Sequence, residues 1–195
     1  MRNLVVFAHP RVESFNRELL RTYCAAAQER GHELRVRDLY AMQFNPILAE
    51  SEMNAARGQG TQSADIVIEQ QHVQWAEVVT LISPVWWIGW PAILKGWIDR
   101  IFAFNFAYGY GPSGTIGLLK GKSAIVFSTT GSNSVHWNDS GKLESVRISQ
   151  DVGTLELSGI KVLEHMTFSP VGRLTKPETF AEYLQQAREL VERRL

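Results

Sequence analysis

The chain has 195 residues, enough for one ordinary domain with a sizeable core. Its 20 lysines and arginines balance 20 aspartates and glutamates, so it lacks the broad positive field that attracts nucleic acid. A single cysteine excludes an internal disulfide. We therefore expect one domain over residues 1–195 whose ligand is a small molecule.

The hydropathy pattern indicates a cytoplasmic protein without stable membrane insertion. No apolar run approaches the roughly 18 residues that a spanning helix needs, and the run after Asn3 is too short for the apolar region of a signal peptide. Cys24 falls within the apolar pattern of a predicted helix, which is typical of a buried, inert thiol.

The first half of the chain alternates apolar strands with amphipathic helices. Ser14 is placed to cap the first helix, and Gly31 is placed to end it. The second strand is the more polar one, which indicates an edge of the sheet. The pattern predicts strands over 4–8 and 33–39 and helices over 15–30 and 64–75.

The second half repeats this alternation. A strand over 77–83 stops at Pro84, and Pro91 is predicted in the first turn of the helix that follows it. Further strands are predicted over 122–131 and 160–168, with helices over 143–157 and 177–195. Strands that alternate with helices over this length predict an α/β fold with a parallel sheet covered on both faces.

Ligands of such sheets bind beyond the carboxyl ends of the strands. Strand one ends in "HPRVESFN", residues 9–16, which leads into a helix N-terminus where backbone N–H groups favour an anion. Ser14 and Asn16 add side-chain donors, and His9 and Arg11 could add charge. The loop lacks the Walker A lysine and the G-x-G-x-x-G glycines. The alternative is that Ser14 merely caps the helix and His9 is an ordinary loop histidine.

The stretch "SPVWWIGWPAILKGWIDRIF", residues 83–102, holds four of the six tryptophans. Trp97 falls on the apolar face of a predicted helix and is expected in the core. At least one of Trp86, Trp87 and Trp90 is expected at a site, because one short loop can hardly bury all three. The tail of strand four, "STTGSN", offers hydroxyls and a glycine, which also form turns without any ligand.

Several motifs together resemble the flavodoxin-like NAD(P)H:quinone oxidoreductases, the DT-diaphorase-like family that also includes small bacterial quinone reductases and potassium-efflux ancillary proteins. The matching text includes "AHP" with "SFN", "DLYAMQFNPI", "DIVIEQQ", "PAILKGW" and "TTG". The resemblance runs from Leu4 to Gly131. It implies a flavodoxin-like three-layer sandwich with a five-stranded parallel sheet in the order 2-1-3-4-5.

The resemblance also implies roles for individual residues around a flavin. Positions expected on its phosphate side are His9, Ser14, Phe15, Asn16 and Gln70. Positions expected along the isoalloxazine are Pro84, Val85, Trp87 and Ile88, with Trp86 as a further stacking candidate, and those at its pyrimidine edge are Thr129, Thr130 and Gly131. Tyr108 and Tyr110 are expected to reach the quinone pocket of a partner subunit, which implies a homodimer with composite sites.

One segment departs from the family pattern. Members such as DT-diaphorase follow "TTG" with a glycine-rich segment that carries a tyrosine and then a histidine. Here the segment reads "TTGSNSVHWNDSGKLES", is shorter and has no tyrosine. His136 is the candidate catalytic residue of this region.

The implied activity is two-electron hydride transfer from NAD(P)H through the flavin to a quinone, with both substrates using one pocket in turn. Asn16 and Gln70 favour FAD, with FMN as the alternative. The rival function is a flavin-binding regulatory subunit of a membrane transporter such as a potassium-efflux system. A one-electron carrier is disfavoured, because flavodoxins are usually strongly acidic and this chain has a formal net charge of zero.

Overall fold

The structure, a computed structural model, describes the backbone of residues 1–195 and every side chain except those of Ser134 and His136. Its strands are β1 (Arg2–Phe7), β2 (Glu33–Asp38), β3 (Val78–Pro84), β4 (Tyr108–Gly111), β5 (Gly114–Gly117), β6 (Ser123–Thr129) and β7 (Lys161–Phe168). Its helices are α1 (Phe15–Glu29), α2 (Glu50–Ala56), α3 (Ala64–Trp75), α4 (Ala92–Ile101), α5 (Ser134–Asp139), α6 (Lys142–Arg147) and α7 (Pro177–Arg194). A π-helical segment, Ile148–Glu156, follows α6.

The central sheet has five parallel strands in the order β2-β1-β3-β6-β7. Counted along the chain, this is the predicted order 2-1-3-4-5. Every residue of β3 is buried, whereas β2 at one edge is partly exposed, as its polar sequence predicts. Separate apolar clusters cover the two faces of the sheet, so the fold has three layers. Among the described residues, no helix is both long enough and apolar enough to cross a bilayer.

Three local features differ from the sequence-based expectations. The antiparallel hairpin of β4 and β5 was not predicted, because its glycines remove the side chains that signal a strand. The helix expected over 143–157 is α6 followed by the π-helical segment. Pro91 is the N-cap of α4 rather than a residue of its first turn.

A buried ion pair fixes α2 beside α4. The Arg100 guanidinium donates from Nε to Glu52 Oε2 at 3.1 Å and from Nη1 to the Asn45 carbonyl at 2.8 Å. Asp65 lies 2.7 Å from the same Nη1. The hydrogen bonds from Arg100 lower the pKa of the Glu52 carboxyl. The chain between β2 and α3 is therefore held against the core by charge-assisted hydrogen bonds.

Gly96 permits the same segment to approach α4 closely. A Cβ at this position would collide with the carbonyl oxygen and the Cβ of Pro46. Glycine inside a helix normally weakens it, so its presence here follows from the packing of Pro46 against the helix backbone.

We predict that Gly96→Ala destabilises the fold by about 1–3 kcal/mol, the usual cost of overpacking. The matched control is Gly172→Ala, because a Cβ on Gly172 meets nothing within 4 Å. Urea unfolding of both variants measures the difference. Equal free energies of unfolding for the two variants would contradict the close approach of Pro46.

Candidate functional site

Thr129, the last residue of β6, joins three loops at the carboxyl edge of the sheet. Its side-chain oxygen accepts a hydrogen bond from Asn16 Nδ2 at 2.8 Å, and its carbonyl accepts one from the Val85 N–H at 2.8 Å. The rings of His9 and Trp86, from the first and second loops, lie 6.4 Å apart between centroids. The tails of β1, β3 and β6 therefore converge as the parallel-sheet rule predicts.

Asn16 presents an unused acceptor within this junction. The residue is 3% exposed, and among the described residues its Oδ1 has no hydrogen-bond partner. Buried polar atoms are rarely left unpaired, so this oxygen is suited to accept a hydrogen bond from a ligand or an ordered water.

The loop after β1 forms the polar wall of the site. Ser14 caps α1 by accepting from the Arg17 N–H at 3.2 Å, which confirms its predicted capping role. His9 Nδ1 accepts from the Arg11 N–H at 3.1 Å. Partial burial lowers the pKa of His9, which disfavours its protonated form in the absence of a ligand. Helix N–H groups and arginine are therefore the main groups here that can hold an anion.

A cavity of about 660 Å³ extends from this loop to the C-terminal helix. Its apolar wall includes Phe15 and Phe180, whose rings stack with centroids 5.0 Å apart. Arg11 and Arg173 line it, and neither forms an ion pair with the described acidic residues. Arg17 is instead paired with Asp38 at 2.6 Å. The cavity can therefore hold a ligand that has both anionic and apolar parts.

The loop after β3 contains a strained turn. Trp86 and Gly89 exchange two backbone hydrogen bonds of 3.0 Å, and the turn between them places Trp87 at φ 51° and Ile88 at φ 62°. A positive φ is unusual for bulky and β-branched residues and costs about 1–3 kcal/mol. The backbone N–H groups of Trp87 and Ile88 have no partner among the described residues. The turn thus presents two unused donors beside the junction.

The tryptophans of this region divide between core and surface. Trp97 is fully buried, which confirms its predicted core position, and Trp90 is also buried. The Trp87 side chain is fully exposed, and Trp86 is partly exposed. Val85 is buried against Trp137 and Val146. A flat ligand placed at the edge of the sheet would therefore find uncovered tryptophan surface on Trp86 and Trp87.

The structure does not bring several of the predicted site residues to the Thr129 junction of the same chain. Gln70 Nε2 donates to the Ile101 carbonyl at 3.2 Å and does not line the cavity. Tyr108 and Tyr110 lie on the β4–β5 hairpin, where both rings pack near Phe104. The side chain of His136 lies outside the described residues. The roles assigned to these four residues stay predictions.

The sequence patterns did not predict that residues near the C-terminus form one wall of the cavity. Val171, Gly172, Arg173, Phe180 and Leu184 all line it. They come from the loop before α7 and from α7 itself, where no recognisable motif marks them. Only the fold, which packs α7 against α1, brings them to the β1 loop.

The profile of the family described as having a flavodoxin-like fold matches residues 1–191, and the chain belongs to this family. A Haemophilus influenzae protein named an uncharacterized NAD(P)H oxidoreductase is 37% identical over 172 residues, covering 88% of this chain and 85% of that protein. The NAD(P)H dehydrogenase (quinone) 1 of Cavia porcellus is 32% identical, covering 94% of this chain and 73% of that protein. The structure of an NAD(P)H:quinone oxidoreductase from Methanothermobacter marburgensis superposes with a TM-score of 0.89 at 27% identity, covering 98% of this chain and 97% of that one.

We predict that Thr129→Val destabilises the protein by about 1–3 kcal/mol, because it leaves the Asn16 amide buried without its acceptor. Thr167→Val is the matched control, since Thr167 Oγ1 is a buried atom with no partner among the described residues. Loss of the Thr167 hydroxyl should lower the free energy of unfolding by less than about 0.5 kcal/mol, or should raise it. Urea unfolding compares the two. An equal cost for both would show that the Asn16 contact does not hold the loops.

Proposed function

We propose that this protein is a flavin-dependent NAD(P)H:quinone oxidoreductase. The observation that carries the proposal is the junction at Thr129, where a buried unpaired Asn16 oxygen, two unused N–H donors and an exposed tryptophan surround one edge of the sheet. The names of the relatives in Haemophilus influenzae and Cavia porcellus support the same class of enzyme. The geometry of the junction supports a flavin site, and the names of the relatives support NAD(P)H and a quinone as its substrates.

The residues at the junction fit a flavin. Trp86 and Trp87 offer aromatic surface for a planar ring, and the N–H groups of Trp87 and Ile88 are suited to the carbonyl and nitrogen atoms at its edge. Thr130 is buried one residue beyond the Thr129 junction, and its hydroxyl can donate where negative charge develops. A flavin held by these residues would supply hydride transfer between NAD(P)H and the acceptor.

The protein's contribution to this chemistry is orientation and electrostatics. Hydrogen bonds from Asn16 and Val85 to Thr129 fix the relative positions of the loops, so donors are in place before the reaction begins. The strained turn keeps the side chain of Trp87 outside the core. We propose that NAD(P)H and the quinone occupy the same open face in succession.

The cavity between the β1 loop and the C-terminal helix favours FAD over FMN. FMN ends at one phosphate, which the N-terminus of α1 and Arg11 could hold. The cavity continues from there to Phe180 and Leu184, and its volume of about 660 Å³ has room for a second phosphate and an adenosine. Asn16, at the start of the cavity, belongs to the phosphate side that we expect, whereas Gln70 does not line it.

A homodimer with composite sites remains part of the proposal. The hairpin and the chain near α2 expose apolar side chains that a single copy leaves uncovered, namely Ile47, Met53, Tyr110, Ile116 and Leu118. Met53 and Tyr108 line one small cavity, so α2 and the hairpin are neighbours, and exposed apolar side chains on neighbouring segments are typical of an interface. We propose that a second copy covers them and that its Tyr108 and Tyr110 complete the quinone pocket.

The proposed activity predicts a specific spectral cycle. Purified protein should retain stoichiometric added FAD through gel filtration. Anaerobic NADH or NADPH should bleach the flavin absorption, and a benzoquinone should restore it without oxygen. Retention of flavin that neither nicotinamide bleaches would contradict the reductase and favour the regulatory subunit. No retained flavin would contradict the site itself.

We predict that Phe180→Ala weakens FAD binding about tenfold, through loss of roughly 1–2 kcal/mol of aromatic contact, and leaves FMN binding within about twofold. Leu174→Ala is the control, because this exposed side chain does not line the cavity. Isothermal titration with each flavin provides the measurement. An equal loss of FAD and FMN affinity would show that the outer cavity does not hold the adenosine.

A further inference from the structure

A chain of three buried polar side chains connects β6, β7 and the π-helical segment. Ser128 Oγ lies 2.9 Å from His165 Nε2, and His165 Nδ1 lies 2.8 Å from Asp151 Oδ1. The side chains of His165 and Asp151 are 3% and 13% exposed. The three residues are far apart in sequence, and the roles proposed above do not use them.

This arrangement has the geometry of a hydrolytic triad but cannot work as one. Ser128 is 1% exposed and lines none of the described cavities. A nucleophilic serine must reach the carbonyl of its substrate, and no substrate carbonyl can approach this hydroxyl. The hydrogen-bonded series of Asp151, His165 and Ser128 is therefore better suited to link the protein surface with the candidate site than to act as a catalytic site itself.

The outer end of this hydrogen-bonded series, at Asp151, opens to solvent. Asp151 and His165 line a surface groove of about 390 Å³ between the π-helical segment and β7. The other ionisable groups in this groove come from α6, the π-helical segment and β7, and are Glu144, Arg147, Glu156 and Glu164. Arg147 donates to the His165 carbonyl at 3.5 Å, and Arg194 of α7 pairs with Glu164 at 3.0 Å. Asp151, the carboxylate in contact with His165, can take up a proton from water at this mouth.

The inner end points toward the candidate site. Alternation along the strands places Ser128 of β6 on the same face of the sheet as His165 and Thr167 of β7, and Thr130 follows one residue after β6 ends. Ser128 and Thr167 are register partners on neighbouring strands. Thr167 Oγ1 is buried and has no partner among the described residues. The polar groups thus continue past Ser128 toward the carboxyl edge of the sheet.

A small cavity lies between Thr167 and Thr130. It has a volume of about 200 Å³ and is lined by Thr130, Trp137, Asn138, Leu143, Thr167 and Ser169. A cavity of this size with several polar walls has room for ordered water. Water there can bridge the unpaired Thr167 hydroxyl to Thr130, which lies one residue beyond the Thr129 junction.

We propose that Asp151, His165, Ser128 and Thr167 conduct a proton from the surface groove to Thr130 at the candidate site. The proposal rests on the proposed function, because a quinone becomes a hydroquinone by taking up one hydride and one proton. His165 accepts a proton at Nδ1 from the side of Asp151 and releases one from Nε2 to Ser128 Oγ. Rotation of the Thr167 side chain about its Cα–Cβ bond would bring Oγ1 within reach of the Ser128 hydroxyl, its register partner, and water in the cavity would carry the proton on to Thr130.

The hydrogen-bonded chain can be tested first in the flavin-free protein. A histidine N–H held by a buried carboxylate gives a low-field proton resonance in the NMR spectrum. We expect this resonance in the wild type and in Glu156→Gln, and its absence in His165→Gln. Glu156 is the matched control because it lines the same groove without a described hydrogen bond to the chain. Absence of the resonance from the wild type would overturn the proposal.

The proton path is tested by timing the two half-reactions of the FAD-loaded protein separately. We expect His165→Gln and Thr167→Val to slow reoxidation by benzoquinone about tenfold or more, with a solvent deuterium effect. FAD affinity and bleaching by NAD(P)H should stay within about twofold of the wild type, because a general acid is needed only where the proton is consumed. Thr167→Val keeps the test valid if His165→Gln fails to fold.

Two results would overturn the path while the proposed function stands. One is reoxidation of Thr167→Val at the rate of wild type and Glu156→Gln. The other is a parallel loss of FAD affinity and of both half-reactions in Thr167→Val, which indicates a structural role. A wild type that binds FAD but does not react with NAD(P)H would instead overturn the proposed function, and the proton path with it.

Discussion

The hydrogen bond from Asn16 to Thr129 links the first turn of α1, directly after the first loop, to the end of β6, 113 residues further on. Through its carbonyl, the same threonine also binds the loop after β3. Parallel strands bring such loops to one edge, but only specific contacts fix the distances between them. The arrangement of donors, acceptors and aromatic surface at the site depends on this junction, because each group belongs to a loop that Thr129 holds.

Rigid support also explains why strain at the turn of Trp87 and Ile88 persists. β3 is buried along its whole length, and Val85 and Trp90 on either side of the turn are buried too. The flanking contacts therefore determine the turn against the local preference of its residues. The result is a strained backbone with a bulky ring turned away from the core and two N–H groups that no described residue accepts from, an arrangement that a bound planar ligand can stabilise.

The order of the sheet could be predicted because buried parallel strands leave a strong local signal, whereas the wider site depends on tertiary contacts. Ser14 and Trp97 were placed correctly, since capping and helical spacing are properties of short stretches. The contacts of Phe180 and His165 join residues distant in sequence and follow no motif. The β4–β5 hairpin was missed because its glycines weaken the alternating pattern.

The most direct test of the account is a crystal structure of the protein with FAD. The account predicts an isoalloxazine ring on the exposed turn at Trp86 and Trp87, with an edge at Thr129–Gly131. It also predicts diphosphate at the N-terminus of α1 and adenosine against Phe180. A flavin bound elsewhere, or bound at this edge without contacting the turn and the end of β6, would contradict it.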